Sequence, residues 1–252
     1  MHPLPALLAG LLCFGLQPAS AADAGLPVTP AEDLTGGWEF TSDPALPDVL
    51  LIGDSISIAY TRPVRAILQG KANVYRVMSA DGHKPGNGGD TRMGLAGLDP
   101  WLAGHRWRVI HFNWGLWDLC YRDPASTNHG NRDKVRGTLA VSLEEYARNL
   151  EQLVGRLKAT GATLIWASTT VIPQGEIGRF AGDELKYNRV AAAVMARHGV
   201  QINDLHALTV VMPADKFRAP GDVHYTPAGA QELARQVAHV IAASLEPSIS
   251  IP

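Results

Sequence analysis

Cysteine is scarce in this chain. The 252 residues contain two cysteines, Cys13 and Cys120. Cys13 lies in an N-terminal apolar segment that we expect to be removed, so Cys120 would have no partner for an intramolecular disulfide. Trp117 and Leu119 give Cys120 an apolar context, which favours a buried structural thiol over a nucleophile. The sequence therefore predicts that an ordinary hydrophobic core stabilises the fold.

Excess positive charge and long hydrophobic runs are also missing. The 22 Lys and Arg residues nearly balance the 24 Asp and Glu residues, for a net charge of −2, which argues against a nucleic-acid partner. The apolar run 7–16 is too short to span a bilayer comfortably, and Pro18 and the small-x-small triplet 19–21 follow it. We therefore expect residues 1–21 to be a cleaved signal peptide and not an uncleaved anchor. The mature protein would be secreted or periplasmic, without stable membrane insertion.

Helical and strand-like patterns alternate from residue 48 to residue 246, after an irregular segment at 22–47 that is rich in Pro, Gly and Asp. Short apolar runs predict strands at 49–52, 73–78, 109–112, 163–167 and 200–202. Helical spacing and capping residues predict helices at 56–68, 91–102, 142–158, 185–198 and 227–243. Such alternation implies βαβ units, and hence a five-stranded parallel sheet with helices on both faces, a three-layer α/β/α domain.

Ligand sites of such sheets lie at the carboxyl ends of the strands. Ser55 directly follows the first predicted strand and Gly53, a position that suits either a nucleophile or a helix N-cap. The loop 79–94, after the second strand, contains five glycines within 82–94. Glycine permits a close backbone approach to a ligand, although a flexible surface loop has the same composition.

Two further segments reach the same edge of the sheet. Trp114 and Trp117 follow the third predicted strand and would either form the wall of a substrate pocket or pack in the core. Asp222 and His224 precede the last helix. In extended backbone, residues two apart project to the same side, so this carboxylate can orient the imidazole.

In combination, these segments resemble the blocks of the SGNH, or GDSL, hydrolases. The matching blocks are Gly-Asp-Ser at 53–55, Gly-Asp-Thr at 89–91, the strand end at 113–118 and Asp-x-His at 222–224, in the family's order over about 48–243. The resemblance implies a flavodoxin-like α/β/α sandwich and a serine esterase that needs no metal or organic cofactor.

The same resemblance assigns roles to individual residues. Ser55 would be the nucleophile, His224 the general base and Asp222 its partner. The backbone N–H groups of Ser55 and Gly89 would contribute to the oxyanion hole.

Two departures from the family pattern leave alternatives open. The tetrad 115–118 carries Trp117 where the family usually has the asparagine that completes the oxyanion hole. The donor would then be Trp117 or, as we favour, the compact amide of Asn113. The acid also lies one residue closer to the histidine than is usual, which makes Asp204 and Asp215 fallback partners.

The resemblance and the predicted export indicate a carboxylic ester substrate, either a small molecule or a glycan. The polar loop 121–137 favours O-acetyl groups on carbohydrate, with a short-chain or lipid ester as the alternative. A rival hypothesis is a non-catalytic glycan-binding module that stacks sugars on Trp114, Trp117 and Tyr121.

A metal hydrolase is a third hypothesis. Its ligands would come from His83, His111, His129 and nearby acids, but the chain has no H-E-x-x-H or comparable ligand spacing.

Overall fold

The computed structural model describes residues 37–246. Residues 37–47 form no helix or strand. The predicted signal peptide and the first part of the predicted irregular segment lie outside the described residues.

Five parallel strands form the central sheet, in the order β2-β1-β3-β6-β7. Their bounds are Asp48–Ile52 for β1, Asn73–Arg76 for β2, Trp107–Phe112 for β3, Thr163–Ala167 for β6 and Gln201–Asn203 for β7. Two short strands, β4 at Tyr121–Arg122 and β5 at Thr138–Leu139, pair separately as an antiparallel ribbon. The strand order reverses between β1 and β3, the switch point at which such sheets bind ligands.

Helices cover both faces of the sheet, which confirms the predicted three-layer α/β/α architecture. The helices are α1 at Ser55–Ile67, α2 at Thr91–Leu102, α3 at Leu143–Lys158, α4 at Asp183–His198, α5 at Leu205–Val210 and α6 at Pro227–Leu245. Helix α1 packs against α6, whereas α3 packs between α2 and α4. The five long helices agree with the predicted ones to within two residues at each end; the short α5 and the β4–β5 ribbon were not predicted from sequence.

The core explains why these segments adopt these elements. Four consecutive residues of β1, from Val49 to Ile52, are buried, as expected for a parallel strand that is covered on both faces. In α3, Tyr146, Leu150 and Leu153 are buried at helical spacing. Ser142 caps this helix by accepting a hydrogen bond from the backbone N–H of Glu145 at 3.2 Å.

Within residues 37–246 no helix is long and apolar enough to cross a membrane. Cys120 is buried and forms no disulfide within that range.

A buried carboxyl group joins the start of α2 to the loop after β3. Asp118 Oδ1 accepts hydrogen bonds from the backbone N–H of Thr91 at 2.9 Å and from its hydroxyl at 2.6 Å. Asp118 Oδ2 is buried and has no hydrogen-bond partner among the described residues. Burial raises the pKa of Asp118 to about 7, although the two bonds from Thr91 oppose this shift. The carboxyl group is therefore largely protonated below neutral pH.

This raised pKa predicts a pH-dependent contribution to stability. An aspartate in the unfolded chain titrates at about pH 4. Between about pH 4 and 7 the folded state therefore holds a proton on Asp118 that the unfolded state has released. That contribution stabilises the fold at low pH and is lost as the pH rises. Relative to the wild type, we expect Asp118→Asn to gain about 2–4 kcal/mol in free energy of unfolding over this interval.

Denaturant unfolding of both proteins at several pH values measures this difference. Asp215→Asn is the matched control because Asp215 is exposed; its pH dependence should follow the wild type. Parallel pH profiles for the wild type and Asp118→Asn would contradict the prediction.

Candidate active site

Ser55 is placed by the sharp turn after β1. Asp54 caps α1 by accepting a hydrogen bond from the backbone N–H of Ile56 at 2.9 Å, and Ser55 is the first residue of the helix. The capping role that competes with catalysis therefore belongs to Asp54. Gly53 O accepts a hydrogen bond from Gly88 N–H at 3.0 Å, and this pair draws the loop after β2 against the turn.

Ser55, His224 and Asp222 form one chain of hydrogen bonds. Ser55 Oγ lies 2.9 Å from His224 Nε2, and His224 Nδ1 lies 2.6 Å from Asp222 Oδ1. The same carboxylate oxygen accepts the backbone N–H of His224 at 3.0 Å. Partial burial would raise the pKa of Asp222, but the hydrogen bonds from the backbone and ring of His224 outweigh it, and the pKa is lowered. An ionised Asp222 fixes the ring with Nδ1 protonated and leaves Nε2 free to accept a proton.

The two fallback acids lie elsewhere. Asp204 Oδ1 accepts from the Ser168 hydroxyl at 2.7 Å and caps α5 through the backbone N–H of Ala207. Asp215 is exposed. Among the described acids, the structure brings only Asp222 into hydrogen bonding with the ring of His224.

The Ser55 hydroxyl and the His224 ring face a cavity of about 110 Å³. Its lining residues are Asp54, Ser55, Asn87, Leu116, Trp117, Arg122, His129, Gly130, Arg132, Arg179, Val223 and His224. An open groove of about 800 Å³ adjoins it and shares Trp117, Arg122 and Gly130. The site therefore combines a small, partly open compartment with a broad groove.

The residues that line the cavity match only part of the oxyanion donors that the sequence predicts. Gly89 does not line the cavity, and its N–H donates to Asn87 Oδ1 at 2.9 Å. Asn87 does line it, and its Nδ2 makes no hydrogen bond within residues 37–246. Sequence reasoning missed Asn87; its position two residues before Gly89 in the second family block was the available signal.

Asn113 and Trp117, the two alternatives for the third donor, lie in different places. Asn113 Nδ2 donates to the backbone carbonyl of Ala167 at 2.7 Å and lies outside the cavity. Trp117 is half-buried and lines the cavity, with the guanidinium of Arg122 4.6 Å from its ring centroid. Trp117 thus lines the same cavity as Ser55, and the favoured Asn113 does not.

The expectation that Trp114 contacts substrate needs correction. This side chain is 1% exposed and belongs to the core, and its indole N–H donates to Gly88 O at 3.2 Å. Trp114 therefore supports the loop after β2 from below and does not reach the cavity.

No group of three or more His, Cys, Asp or Glu side chains in the described part of the chain could hold a metal ion. His111, one of the ligands considered from sequence, is fully buried, with Nε2 3.1 Å from Asn203 Nδ2. Burial lowers the pKa of His111 to about 3, so the ring is a neutral core side chain.

Comparison with known proteins agrees with this geometry. Residues 51–232 match the model of the GDSL-like lipase/acylhydrolase family. No curated protein sequence matches the chain. Its sheet order, turn and site define the class of the protein, a carboxylic ester hydrolase on an α/β/α sandwich. The chain belongs to the GDSL-like lipase/acylhydrolase family.

Solved structures with the same fold are distant in sequence. A lipase/acylhydrolase from Enterococcus faecalis is 17% identical, covers 81% of this chain and 100% of its own, and has a TM-score of 0.62. The acetyl xylan esterase AlAXEase is 13% identical, with 77% and 99% coverage and a TM-score of 0.58. A catalytic mutant of Axe2, an acetylxylan esterase from Geobacillus stearothermophilus, is 17% identical, with 77% and 94% coverage and a TM-score of 0.57.

The Asp222–His224 contact gives a direct prediction. We expect Asp222→Ala to lower kcat for a short-chain aryl ester by about 10²–10⁴, because the ring loses the carboxylate that sets its tautomer and stabilises its charged form. Steady-state kinetics together with Tm measures this, and Asp215→Ala serves as the control for loss of an acid. A variant Asp222→Ala with wild-type kcat, or an Asp215→Ala protein with the larger loss, would show that Asp222 is not the partner.

Proposed function

We propose that this chain is an exported serine esterase that removes short acyl groups, in first place O-acetyl groups, from carbohydrate. The observation that carries the proposal is the continuous hydrogen-bonded chain from Asp222 through His224 to Ser55, which ends at a cavity of about 110 Å³. Signal-peptide features of residues 1–21 support export.

The reaction takes place in two steps. Ser55 Oγ forms a bond to the ester carbonyl carbon while His224 Nε2 takes the hydroxyl proton, and the carbonyl oxygen becomes an oxyanion. The intermediate then breaks its bond to the alcohol oxygen, which leaves with the proton from His224. Water attacks the acyl-enzyme in the same manner, releasing the acid and restoring Ser55.

We assign the stabilisation of the oxyanion to three donors around the cavity. The backbone N–H of Ser55 is at the first position of α1, where no helical acceptor exists. Asn87 Nδ2 and the indole N–H of Trp117 make no hydrogen bonds within residues 37–246 and belong to residues that line the cavity. In this arrangement Gly89 acts through its N–H, which holds the Asn87 side chain in place.

The size of the cavity favours a short acyl group. The cavity beside Ser55 offers about 110 Å³, far less than the open groove at about 800 Å³, so it suits a short acyl group better than a long alkyl chain. Leu116 and Val223 supply an apolar part of the lining. The open groove alongside would hold the sugar, with Trp117 as a stacking surface for its ring. Two neighbours in fold are described as acetyl xylan esterases, which is consistent with this preference.

A lipid or medium-chain ester is the second candidate, favoured by a larger depression of about 500 Å³ near Gly221, whose lining has one charged side chain, that of Arg218. Its lining includes Val210, Met212 and Phe217 but none of the residues that line the Ser55 cavity. An acyl chain bound there would not extend from the Ser55 compartment, so we rank this candidate lower. A non-catalytic glycan-binding module is ranked lower still, because such a module would not need the Ser55–His224 contact.

The proposed nucleophile is tested with an ester panel. We expect acetylated oligosaccharides and acetyl aryl esters to be hydrolysed faster than octanoyl aryl esters, and Ser55→Ala to lose roughly 10³-fold or more in kcat because no acyl-enzyme forms. A fluorophosphonate probe should label the wild type and Ser244→Ala but not Ser55→Ala. Preference for the octanoyl ester would reverse the ranking of substrates, and an unlabelled wild type would support the binding module.

The proposed oxyanion donors are tested separately. We expect Asn87→Ala and Trp117→Phe each to lower kcat by about 10²–10³, since each change removes one donor to the developing charge. Asn113→Ala is the comparison, because its amide bonds Ala167 O; it should affect Tm more than kcat. Loss of kcat in Asn113→Ala, with little change in Asn87→Ala, would restore the donor that the sequence favoured.

A further inference from the structure

Three arginine side chains line the small cavity that contains Ser55 and His224: Arg122, Arg132 and Arg179. Ester hydrolysis by a serine, a histidine and an acid requires none of them. Three guanidinium groups in the wall of a cavity of about 110 Å³ favour an anionic ligand.

Each guanidinium is fixed by the protein on one side. Arg179 Nε donates to Leu116 O at 2.6 Å and its Nη1 to Glu176 Oε1 at 2.8 Å. Arg132 Nη1 donates to the same carboxylate oxygen at 3.1 Å. Arg122 donates through Nη1 to Gly130 O and stacks on Trp117.

Each guanidinium also has N–H donors that form no hydrogen bond with the described part of the chain. Nη2 of Arg122, Arg132 and Arg179 makes no hydrogen bond within residues 37–246, although Arg179 as a whole is only 4% exposed. Side chains that are held in place but still have free N–H groups form a preorganised site for an anion.

The charges of the residues that line the cavity do not cancel. Glu176 is 1% exposed and neutralises part of the charge on Arg132 and Arg179. Arg122 pairs with no carboxylate within residues 37–246. Asp54 is the one carboxylate in the lining; burial raises its pKa, against the hydrogen bond from Ile56 N–H and the nearby charge of Arg179. The lining itself thus holds three guanidinium groups and one carboxylate, that of Asp54, while Glu176 and Asp222 lie outside it.

We propose that the ester substrate carries an anionic group, a carboxylate or a sulfate, on its alcohol part next to the scissile bond, and that Arg122, Arg132 and Arg179 bind this group. This inference rests on the proposed function and narrows its substrate class to acylated acidic sugars. Of the three arginines, Arg122 lines both the cavity and the open groove, so an anion held by all three would lie where the cavity meets the groove that we assign to the alcohol part.

A purely structural role explains only part of this arrangement. The pair of Arg132 and Arg179 with Glu176 does tie the loop after β6 to the segment around β4 and β5. Arg122 has no such ion pair within residues 37–246, and a structural role does not account for unbonded donors on three side chains that line the same cavity as Ser55.

The test compares esters that differ only in charge. The substrates are 4-acetoxybenzoate and 4-acetoxybenzenesulfonate, with 4-acetoxybenzamide as the neutral match, each rate being divided by its rate of spontaneous hydrolysis. We expect kcat/KM for at least one anionic ester to exceed that of the neutral ester by about 10- to 100-fold, the effect of one or two charge-assisted hydrogen bonds. The comparison of benzoate with sulfonate tells a carboxylate preference from a sulfate preference, and either result supports the proposal.

Variants assign the preference to the cavity. Arg122→Gln and Arg132→Gln should each reduce the anionic-to-neutral ratio of kcat/KM by about 10-fold. Arg136→Gln removes the same charge from the same loop, but Arg136 is exposed, pairs with Asp133 and does not line the cavity. That variant should keep the wild-type ratio, which separates direct contact from long-range attraction.

Two outcomes would overturn the inference. One is a neutral ester hydrolysed as well as both anionic esters; the other is a ratio that falls equally in Arg122→Gln and Arg136→Gln. In either case fluorophosphonate labelling of Ser55 would leave the esterase proposal standing. If no ester in the set is hydrolysed and Ser55 is not labelled, the proposed function fails and the inference fails with it.

Discussion

The parallel pairing of β1 with its two neighbours is the constraint on which the site depends. Ile52 pairs with Phe112, so the first strand and the third strand end side by side, and the chain after each leaves at the same edge of the sheet. The loop after β2 is then drawn onto this edge by the hydrogen bond from Gly88 N–H to Gly53 O. A Cβ on Gly88 would lie 3.1 Å from Gly53 O, a tight contact, so this close approach of two backbones favours a residue without a side chain. Ser55, Asn87 and Trp117 meet because of this approach.

The arginine side chains around the site form hydrogen bonds at one end and have unbonded N–H groups at the other. Glu176 holds two of them, since its two carboxylate oxygens accept hydrogen bonds from Arg132, Arg179 and the backbone N–H of Gly178. Burying a charge is costly unless it is paired and hydrogen-bonded. Here the pairing fixes the direction of the arginine side chains and leaves their outer N–H groups available. Asn87 is arranged in the same way: its side-chain Oδ1 accepts a hydrogen bond from the backbone N–H of Gly89, and its Nδ2 forms none within residues 37–246.

Much of the fold was predictable because its signals are local. The apolar run in β1, the helical spacing in α3 and the capping residue Ser142 each lie within one element, and the structure follows them closely. The short strands β4 and β5 were missed because two-residue strands have no periodicity. They exist through pairing across the 121–139 segment, which brings Arg122 and Arg132 to the cavity.

For the site, the sequence by itself determined the types of reacting groups and their order along the chain: a serine after a strand and a glycine, and an acid two residues before a histidine. It also determined that extended backbone would place Asp222 and His224 on one side. Only the tertiary structure decided which amide reaches the cavity, because Asn113 and Asn87 are equally polar as residues. Asn113 Nδ2 donates to Ala167 O of the neighbouring strand, whereas Asn87, whose Oδ1 accepts from Gly89 N–H, lines the same cavity as Ser55. The burial of Trp114 and the gathering of three arginines were likewise decided there, since both depend on contacts between segments that are distant in sequence.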